Sequence, residues 1–238
     1  MQWSGQGLII GVRRHGESSV IAETMVAGRG RCLGLVRGGR SRKLAATLQP
    51  GNTVQLTWRA RLDEHLGTFV VELIDARAAD LIADRTRLYA SQILCEHLRL
   101  LPERDPHDRL LGLAVEALAA GKSHLELGME LARFELTLLD ELGFGLDVSA
   151  CAVTGVTTDL THVSPKTGRA VSREAARPYG DRLLALPRFL ISDSPASAAD
   201  VADAFRLTGY FLDRHVWDAR QIEPPAMREA LVTLLGTG

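Results

Sequence analysis

Long apolar runs are absent from this 238-residue sequence. No stretch approaches the roughly 18 apolar residues that a membrane-spanning helix needs, so we expect no membrane segment. The first ten residues lack a basic segment followed by a long apolar one, and we expect no secretory leader. The only cysteines, Cys32, Cys95 and Cys151, are far apart and odd in number. They argue against a disulfide framework and favour a reducing compartment such as the cytoplasm.

Aromatic residues are also scarce, at 5% of the chain, so a stacking surface for nucleic-acid bases would be thin. Trp58 lies on the apolar side of a predicted strand and is assigned to the core. Trp3 precedes the first predicted strand, and its place stays open. The seven histidines form no metal-binding pair and no Gly-x-Ser-x-Gly elbow occurs, so no catalytic residue is predicted.

Charge is distributed unevenly, although the overall net charge is only −1. Residues 1–80 carry 11 Lys and Arg against 7 Asp and Glu, whereas residues 81–238 carry 17 against 22. No acidic residue lies between Glu23 and Asp63, a stretch with eight basic residues. These are Arg29, Arg31, Arg37, Arg40, Arg42, Lys43, Arg59 and Arg61. Because such a basic region is typical of a protein that binds a polyanion, we expect these side chains to contact DNA phosphates.

The first 79 residues have the pattern of a small β-barrel. Five apolar stretches, separated by glycine-containing turns, lie around residues 8–12, 20–26, 32–36, 54–58 and 69–74. In the fourth stretch, Val54, Leu56 and Trp58 alternate with polar residues, as in a strand with one buried face. The OB-fold is the commonest five-stranded candidate and binds single strands and oligonucleotides. We therefore predict an OB-fold DNA-binding domain over residues 1–79.

From residue 80 onward the pattern predicts a mainly α-helical domain, 80–238, and hence an α+β protein. Predicted helices cover 81–101, Asp105 to Gly121, a run from the Ser123/Glu126 capping box to Gly143, Ser197 to about Arg214, and 226–235. Residues 146–193 lose the helical spacing and contain several Gly and Pro. They are predicted as an irregular insertion of loops and short strands.

The segment from Arg37 to Lys43, called the basic loop below, is the most informative part of the sequence. It reads Arg-Gly-Gly-Arg-Ser-Arg-Lys, so glycines let the backbone approach a ligand while four cations offer donors to phosphates. A solubilising hairpin loop is the alternative. A second basic stretch contains Lys166 and Arg169, which are either DNA contacts or part of a solvated hairpin.

Together these motifs resemble the RecO family of bacterial DNA repair proteins, which act as recombination mediators. The resemblance is carried by residues 16–24, by the basic loop with 48–51 after it, by 133–145, and by 151–155 followed by 163–169. It spans nearly the whole chain. The order and spacing of the motifs are specific, whereas no single motif is diagnostic.

The resemblance implies an N-terminal OB-fold, a central helical domain, binding to single- and double-stranded DNA, and annealing of complementary strands. It implies partnership with RecR and with the C-terminal tail of the single-strand-binding protein SSB in loading RecA, at the nucleoid in the cytoplasm. By the resemblance, Arg133 and Phe134 on one helix are the candidate contacts for the SSB tail. An ordinary surface ion pair between Arg133 and Glu130 is the alternative.

The chain departs from the family pattern at a zinc site. Many relatives place two Cys-x-x-Cys pairs in this region, but the matching positions here hold Cys151, Thr154, Ser172 and Ala175. Because one ligand of four is left and structural zinc needs four, we predict no intact zinc site, no other metal and no cofactor.

Two other classes of function stay open beside a non-catalytic DNA-binding mediator. A nuclease would need clustered carboxylates for metal ions, and the nearby Asp63, Glu64, Asp80 and Asp84 have a spacing that suggests no such site. An OB-fold and helical adaptor that binds only proteins is the other.

Overall fold

Five strands close into a barrel in the N-terminal part of the chain. The computed structural model describes residues 1–62 and 64–236. The strands are β1 (Gln2–His15), β2 (Ser19–Val26), β3 (Gly30–Val36), β4 (Thr53–Arg59) and β5 (Thr68–Asp75), and helix α1 (Arg42–Thr47) lies between β3 and β4. Around the barrel the order is β1-β2-β3-β5-β4, with β3 and β5 parallel. This is the arrangement of an OB-fold, so the predicted barrel is confirmed.

Strand β1 closes the barrel because it pairs with two strands at once. Its first half pairs with β4 over residues 2–8, and its second half pairs with β2 over residues 7–15. The register with β2 shifts between Ile9 and Gly11. A β-bulge of this kind bends a strand, which lets one long strand follow the curvature of a small barrel.

Alternating apolar side chains fill the barrel, as the sequence predicts. Val54, Leu56 and Trp58 on β4 are buried and belong to one apolar cluster with residues from the other four strands. Gly34 on β3 leaves room for the ring of Phe69, because a Cβ there would lie 2.4 Å from a ring carbon. Cross-barrel packing therefore explains the glycine in the middle of a strand.

Three helices follow the barrel: α2 (Ala78–Ala83), α3 (Arg85–Leu98) and α4 (Asp108–Ala117). The predicted single helix over 81–101 is wrong, because the helix is interrupted at Asp84, between α2 and α3. The Asp84 carboxylate caps α3 by accepting from the backbone N–H groups of Thr86, at 2.8 Å, and Arg87, at 3.1 Å. The predicted helix start at Asp105 is also wrong, since α4 begins only at Asp108 and ends at Ala117.

Ion pairs fasten strands β2 and β3 to the chain after helix α3. Arg31 donates to the carbonyl of Leu101 at 2.8 Å and forms an ion pair with Glu23. Glu23 also accepts from Arg99 at 2.9 Å, so one half-buried carboxylate holds two guanidinium groups. Arg31 and Glu23 are largely shielded from water, so removing one of them would leave the other charge poorly solvated, whereas Arg99 is about half exposed and its pair contributes less.

The turn between β2 and β3 is held just as closely. The backbone N–H of Gly28 donates to a carboxylate oxygen of Asp108 at 2.7 Å. Gly30 has a φ of +70°, and a Cβ there would lie 1.8 Å from the carbonyl oxygen of Asp105. Only glycine fits both this left-handed conformation and this approach. The barrel and helices α2 to α4 accordingly form one compact unit, Met1–Ala120.

The second compact unit, Gly121–Gly238, is built on helices α5 (His124–Glu141), α7 (Ala198–Leu212) and α9 (Arg228–Gly236). Both serine capping boxes are present: Ser123 with Glu126 begins α5, and Ser197 with Asp200 begins α7. Helix α7 continues through a π-helical turn, Asp213–Trp217, into the short helix α8 (Asp218–Arg220), so the chain stays helical beyond the predicted end near Arg214.

A buried ion pair joins the three long helices of this unit. The carboxylate of Glu135 is fully buried and accepts from Arg228 at 2.9 and 2.8 Å in a bidentate arrangement. Thr208 on α7 donates to the same carboxylate, and Arg228 also donates to the Phe205 carbonyl at 2.8 Å. A charge pair satisfied in this way is expensive to break, because removing one partner leaves the other buried and uncompensated.

Between α5 and α7 the chain is irregular, as predicted for residues 146–193. It contains strands β6 (Leu160–Val163), β7 (Ala170–Ser172) and β8 (Leu184–Ala185), in the sheet order β7-β6-β8. Helix α6 (Arg173–Ala176) and two 3₁₀ turns, Gly180–Arg182 and Arg188–Leu190, complete it. No helix in the described part of the chain has both the length and the apolar content to cross a membrane.

The predicted domain boundary between residues 79 and 80 stays a prediction, but the contacts of the barrel with α2 to α4 favour a later boundary, and fragments can decide between the two. We expect residues 1–120 to unfold in urea at a clearly higher midpoint than residues 1–79. The shorter fragment loses Leu81, which packs on Gly51, and the anchors at Leu101 and Asp108. Each lost buried leucine removes about 1.5–3 kcal/mol. Equal midpoints, measured by circular dichroism, would show instead that the barrel is independent of the helices.

Candidate nucleic-acid interface

The basic loop forms a turn between β3 and helix α1. Gly38 has a φ of +65°, which the turn requires, and Ser41 caps α1 by accepting from the backbone N–H of Leu44. Arg42 and Lys43 therefore occupy the first turn of a short helix, which contains no acidic residue. Residues 37–41 of the basic loop thus form the turn, and its last two residues, Arg42 and Lys43, begin the helix.

Three cations of the basic loop are available to a ligand. Arg37, Arg42 and Lys43 are exposed, and none of them forms an ion pair within residues 1–62 and 64–236. Arg40 is exposed too, but its guanidinium donates to the carbonyl of Glu17 and its backbone N–H donates to Ser18 at 3.1 Å. Arg40 therefore fastens the basic loop to the β1–β2 loop.

The other basic residues of the barrel differ in how many contacts their side chains already make within the protein. Arg31 is taken up by Glu23 and Leu101, so its expected contact with phosphate has the least structural support. Arg59 is exposed and donates to the side chain of Gln2 at 3.0 Å. Arg61 is exposed in the loop between β4 and β5, whereas Asp63, two residues on, lies outside the described residues.

A pocket with two tryptophans and two arginines opens at the other end of β3. Its volume is about 240 Å³. The rings of Trp3 and Trp58 stack with centroids 5.9 Å apart and planes 16° apart. The Arg29 guanidinium lies 4.6 Å from the Trp3 ring centroid, and that of Arg104 lies 5.9 Å from the Trp58 ring centroid. Trp58 is buried, as predicted, while Trp3 is half-buried in the pocket wall.

Arg104 was not among the predicted site residues, and nothing local in the sequence marks it. It has a φ of +62°, which is uncommon for a residue with a side chain. Its backbone N–H donates to the Arg31 carbonyl at 2.9 Å, and its guanidinium donates to the His65 carbonyl at 2.9 Å. Contacts with residues far away in the sequence therefore determine its position.

In the second unit, the stretch with Lys166 and Arg169 is the turn of the β6–β7 hairpin. Lys166 is exposed, and Arg169 is paired with Asp147 at 3.2 Å. The hairpin that the sequence allowed as the alternative is therefore present. Lys166 remains the more available cation of the two.

Arg133 is half-buried and already has partners. Its guanidinium donates to the carbonyl of Phe189 twice, at 3.1 Å each, and forms an ion pair with Glu130 at 3.3 Å. The ion pair considered from the sequence is thus present, and the assignment of Arg133 to the SSB tail stays a prediction. Phe134 is fully buried, so its side chain offers a partner no surface.

The four positions for which the family resemblance implies zinc ligands, 151, 154, 172 and 175, lie in the irregular region. Cys151 is buried, and the backbone N–H of Ser172 donates to its sulfur at 3.3 Å. Burial raises the pKa of the Cys151 thiol, but hydrogen bonds from Thr154 and Ser172 outweigh burial and lower it to about 6. Thr154 and Ser172, at two of these four positions, therefore hydrogen-bond to the Cys151 sulfur. Among the described residues no cluster of three or more His, Cys, Asp or Glu could hold a metal ion.

The barrel order and the helix between β3 and β4 define the class: the chain is an OB-fold protein in which a helical unit follows the barrel in sequence. Two family models match it, Recombination protein O N terminal over residues 1–77 and Recombination protein O C terminal over residues 82–220. Together they cover most of the chain.

Full-length relatives agree with these models. DNA repair protein RecO of Sinorhizobium medicae is 54% identical over 237 residues, covering 98% of this chain and 94% of that protein. The proteins of the same name from Mesorhizobium japonicum and Methylobacterium nodulans are 54% and 52% identical, covering 99% and 98% of this chain and 94% and 98% of theirs. The chain therefore belongs to the RecO family, and its general role is in DNA repair and recombination.

The hydrogen-bonded thiol predicts a pH dependence of stability. The folded thiol loses its proton near pH 6, whereas the unfolded thiol keeps it until near its ordinary pKa of 9.0. The contribution of Cys151 to the free energy of unfolding should therefore be complete above pH 9.0 and decrease as the pH falls toward 6. Urea unfolding of the natural protein and of Cys151→Ala across this range measures it. A difference between the two that does not change with pH would contradict the prediction.

Proposed function

We propose that this chain is a non-catalytic recombination mediator of the RecF pathway. In this proposal it binds and anneals single strands in the cytoplasm and, with RecR, helps load RecA on DNA coated with SSB. The observation that carries the proposal is the basic loop, where Arg37, Arg42 and Lys43 are exposed and unpaired within the part of the chain that the structure describes.

The position of these cations on the barrel supports DNA binding. OB-folds bind oligonucleotides on the face of strands 2 and 3, with the β1–β2 and β4–β5 loops at its edges. Arg40 joins the basic loop to the β1–β2 loop, and Arg59 and Arg61 lie at the β4–β5 loop. Cations thus stand at both edges of the face on which such folds hold their ligands.

The chemistry of these groups suits a mediator better than a sequence-specific protein. Arginine and lysine contacts to phosphates position DNA without reading its bases. Cations that neutralise two phosphate backbones lower the repulsion between complementary strands, which favours annealing. Neither step needs a nucleophile or a metal ion, and the proposal therefore assigns no catalytic residue.

The first prediction of the proposal concerns salt dependence. Replacing Arg37, Arg42 and Lys43 by Ala should weaken binding to single-stranded DNA of every sequence. It should also reduce the log–log salt slope by about 2, since each phosphate contact contributes about 0.7. Anisotropy of a labelled oligonucleotide, titrated at several salt concentrations, measures both quantities.

A matched variant removes the same number of charges elsewhere. Arg85, Arg177 and Arg188 are exposed and lie outside the predicted DNA-binding set, so their replacement by Ala should leave the slope nearly unchanged. Equal effects of the two triple variants would rule out the basic loop as the DNA site. Cleavage of labelled DNA in the presence of Mg²⁺ would favour the nuclease alternative.

A second prediction concerns the SSB tail, which is short, acidic and apolar. In the proposal the Arg133 guanidinium forms the cationic rim of the site, and the apolar groups around Phe189 receive the apolar end of the tail. The Arg133 guanidinium lies 5.7 Å from the ring centroid of Phe189, which is itself buried, whereas Ile191, two residues later, is apolar and exposed.

Arg133→Ala should weaken binding of a labelled SSB-tail peptide about tenfold or more, as expected when a charge-assisted contact is lost. Glu130→Gln is the control, because it removes the partner carboxylate and keeps the cation. It should bind the peptide at least as tightly as the natural protein does. Equal affinity of Arg133→Ala and the natural protein would remove this assignment.

A further inference from the structure

We propose that the pocket formed by Trp3, Arg29, Trp58 and Arg104 binds a single unstacked nucleobase of single-stranded DNA. The inference rests on the proposed function and adds to it a subsite that recognises a base, at the opposite end of β3 from the basic loop. Four parts of the first unit supply these residues: β1, the β2–β3 turn, β4 and the segment between α3 and α4.

The chemistry of the pocket matches a nucleobase. Trp3 and the two guanidinium planes are flat groups that stack on π systems, while the buried Trp58 ring stacks on Trp3 from the core side. Arginine adds a cation–π contribution to base stacking. Among the described residues that line the pocket there are two cations and no carboxylate. A ligand with an aromatic face, acceptor atoms at its edge and an adjoining negative charge therefore fits, and a nucleotide has all three.

The size of the pocket limits the ligand to one base. Its volume of about 240 Å³ lies below the roughly 300–1,000 Å³ of pockets that take drug-sized molecules. The Arg29 guanidinium lies over the Trp3 ring, and the Arg29 side chain is exposed to solvent. A base stacked on the outer face of this guanidinium would extend the Trp3–Arg29 stack by one layer.

The pocket is preorganised by its surroundings. The β2–β3 turn that bears Arg29 is pinned by Asp108 at 2.7 Å from the Gly28 N–H. Arg104 is kept in the left-handed region by its hydrogen bonds to the Arg31 and His65 carbonyls. Strained residues persist where the surrounding structure over-determines them, and they concentrate at binding sites. Arg104 uses one donor on His65, and its remaining N–H groups can donate to the acceptor edge of a base.

The distance to the basic loop allows one strand of DNA to contact both. Strand β3 is seven residues long, from Gly30 near the pocket to Val36 at the basic loop. The pocket extends as far as Leu33, so three to six residues separate it from Val36, roughly 10–20 Å along the strand at about 3.3 Å per residue. Phosphates would then meet Arg37, Arg42 and Lys43 while one base enters the pocket.

The test separates base recognition from phosphate binding. It uses the full chain with Trp217→Phe, which leaves Trp3 and Trp58 as the only tryptophans. The probes are an end-labelled oligo(dT) and an abasic strand of the same length, which has the same phosphates and no bases. We expect oligo(dT) to quench the tryptophan fluorescence and the abasic strand to leave it unchanged, while label anisotropy shows that both bind, oligo(dT) about tenfold more tightly.

Variants of Arg29 complete the test, because this exposed side chain can be replaced without disturbing the core. Arg29→Ala should lose about tenfold in affinity for oligo(dT) and much less for the abasic strand. Arg29→Lys should recover less than half of that loss on a logarithmic scale, since it keeps the charge without the planar group. Arg188→Ala, which removes the same charge from an exposed site outside the barrel, should affect both probes equally and slightly.

Two outcomes would overturn the inference in distinguishable ways. If oligo(dT) and the abasic strand bind equally tightly and neither changes the fluorescence, the pocket takes no base, although DNA binding itself stands. If neither strand binds at low salt, the proposed function fails and the base subsite fails with it.

Discussion

The simultaneous pairing of β1 with β4 and β2 is the constraint on which the rest of the first unit depends. Trp3 lies beside Trp58 because the two residues are partners in the β1–β4 register. The same strand, bent at its bulge, ends at the β1–β2 loop, where Glu17 accepts from Arg40 of the basic loop. One strand thus reaches both ends of the barrel and connects the tryptophan pocket to the cationic site.

Features set by short stretches of sequence could be predicted. Val54, Leu56 and Trp58 alternate because one face of β4 is buried, and the Ser123 and Ser197 caps act within a single helical turn. The order of the two units, a barrel followed by a helical unit, was predicted from the resemblance to the RecO family. The cationic character of the basic loop could be predicted from its composition, whereas the helical conformation of Arg42 and Lys43 could not.

Features set by distant contacts could not be predicted. Asp84 separates α2 from α3 because its carboxylate caps the start of α3. The spacing of apolar residues is helical on both sides of Asp84, so it does not predict the interruption. Arg104 reaches the pocket through its hydrogen bonds to Arg31 and His65, so no window of neighbouring residues reveals it. In the sequence Arg31 cannot be distinguished from its basic neighbours. In the structure its guanidinium pairs with Glu23 and donates to the Leu101 carbonyl. Charge can be counted from sequence, whereas its availability depends on the fold.

The ion pair between Glu135 and Arg228 has a consequence for when the second unit can fold during synthesis on the ribosome. Glu135 lies on α5 and its cation lies 93 residues later, at the start of α9. Until that arginine has left the exit tunnel, packing α5 against α7 would bury a carboxylate without its countercharge, at a cost of several kcal/mol. The first unit can fold while synthesis continues, but the second must wait for its last helix. Co-translational assembly is therefore expected in two steps, with the barrel complete before the helical unit closes.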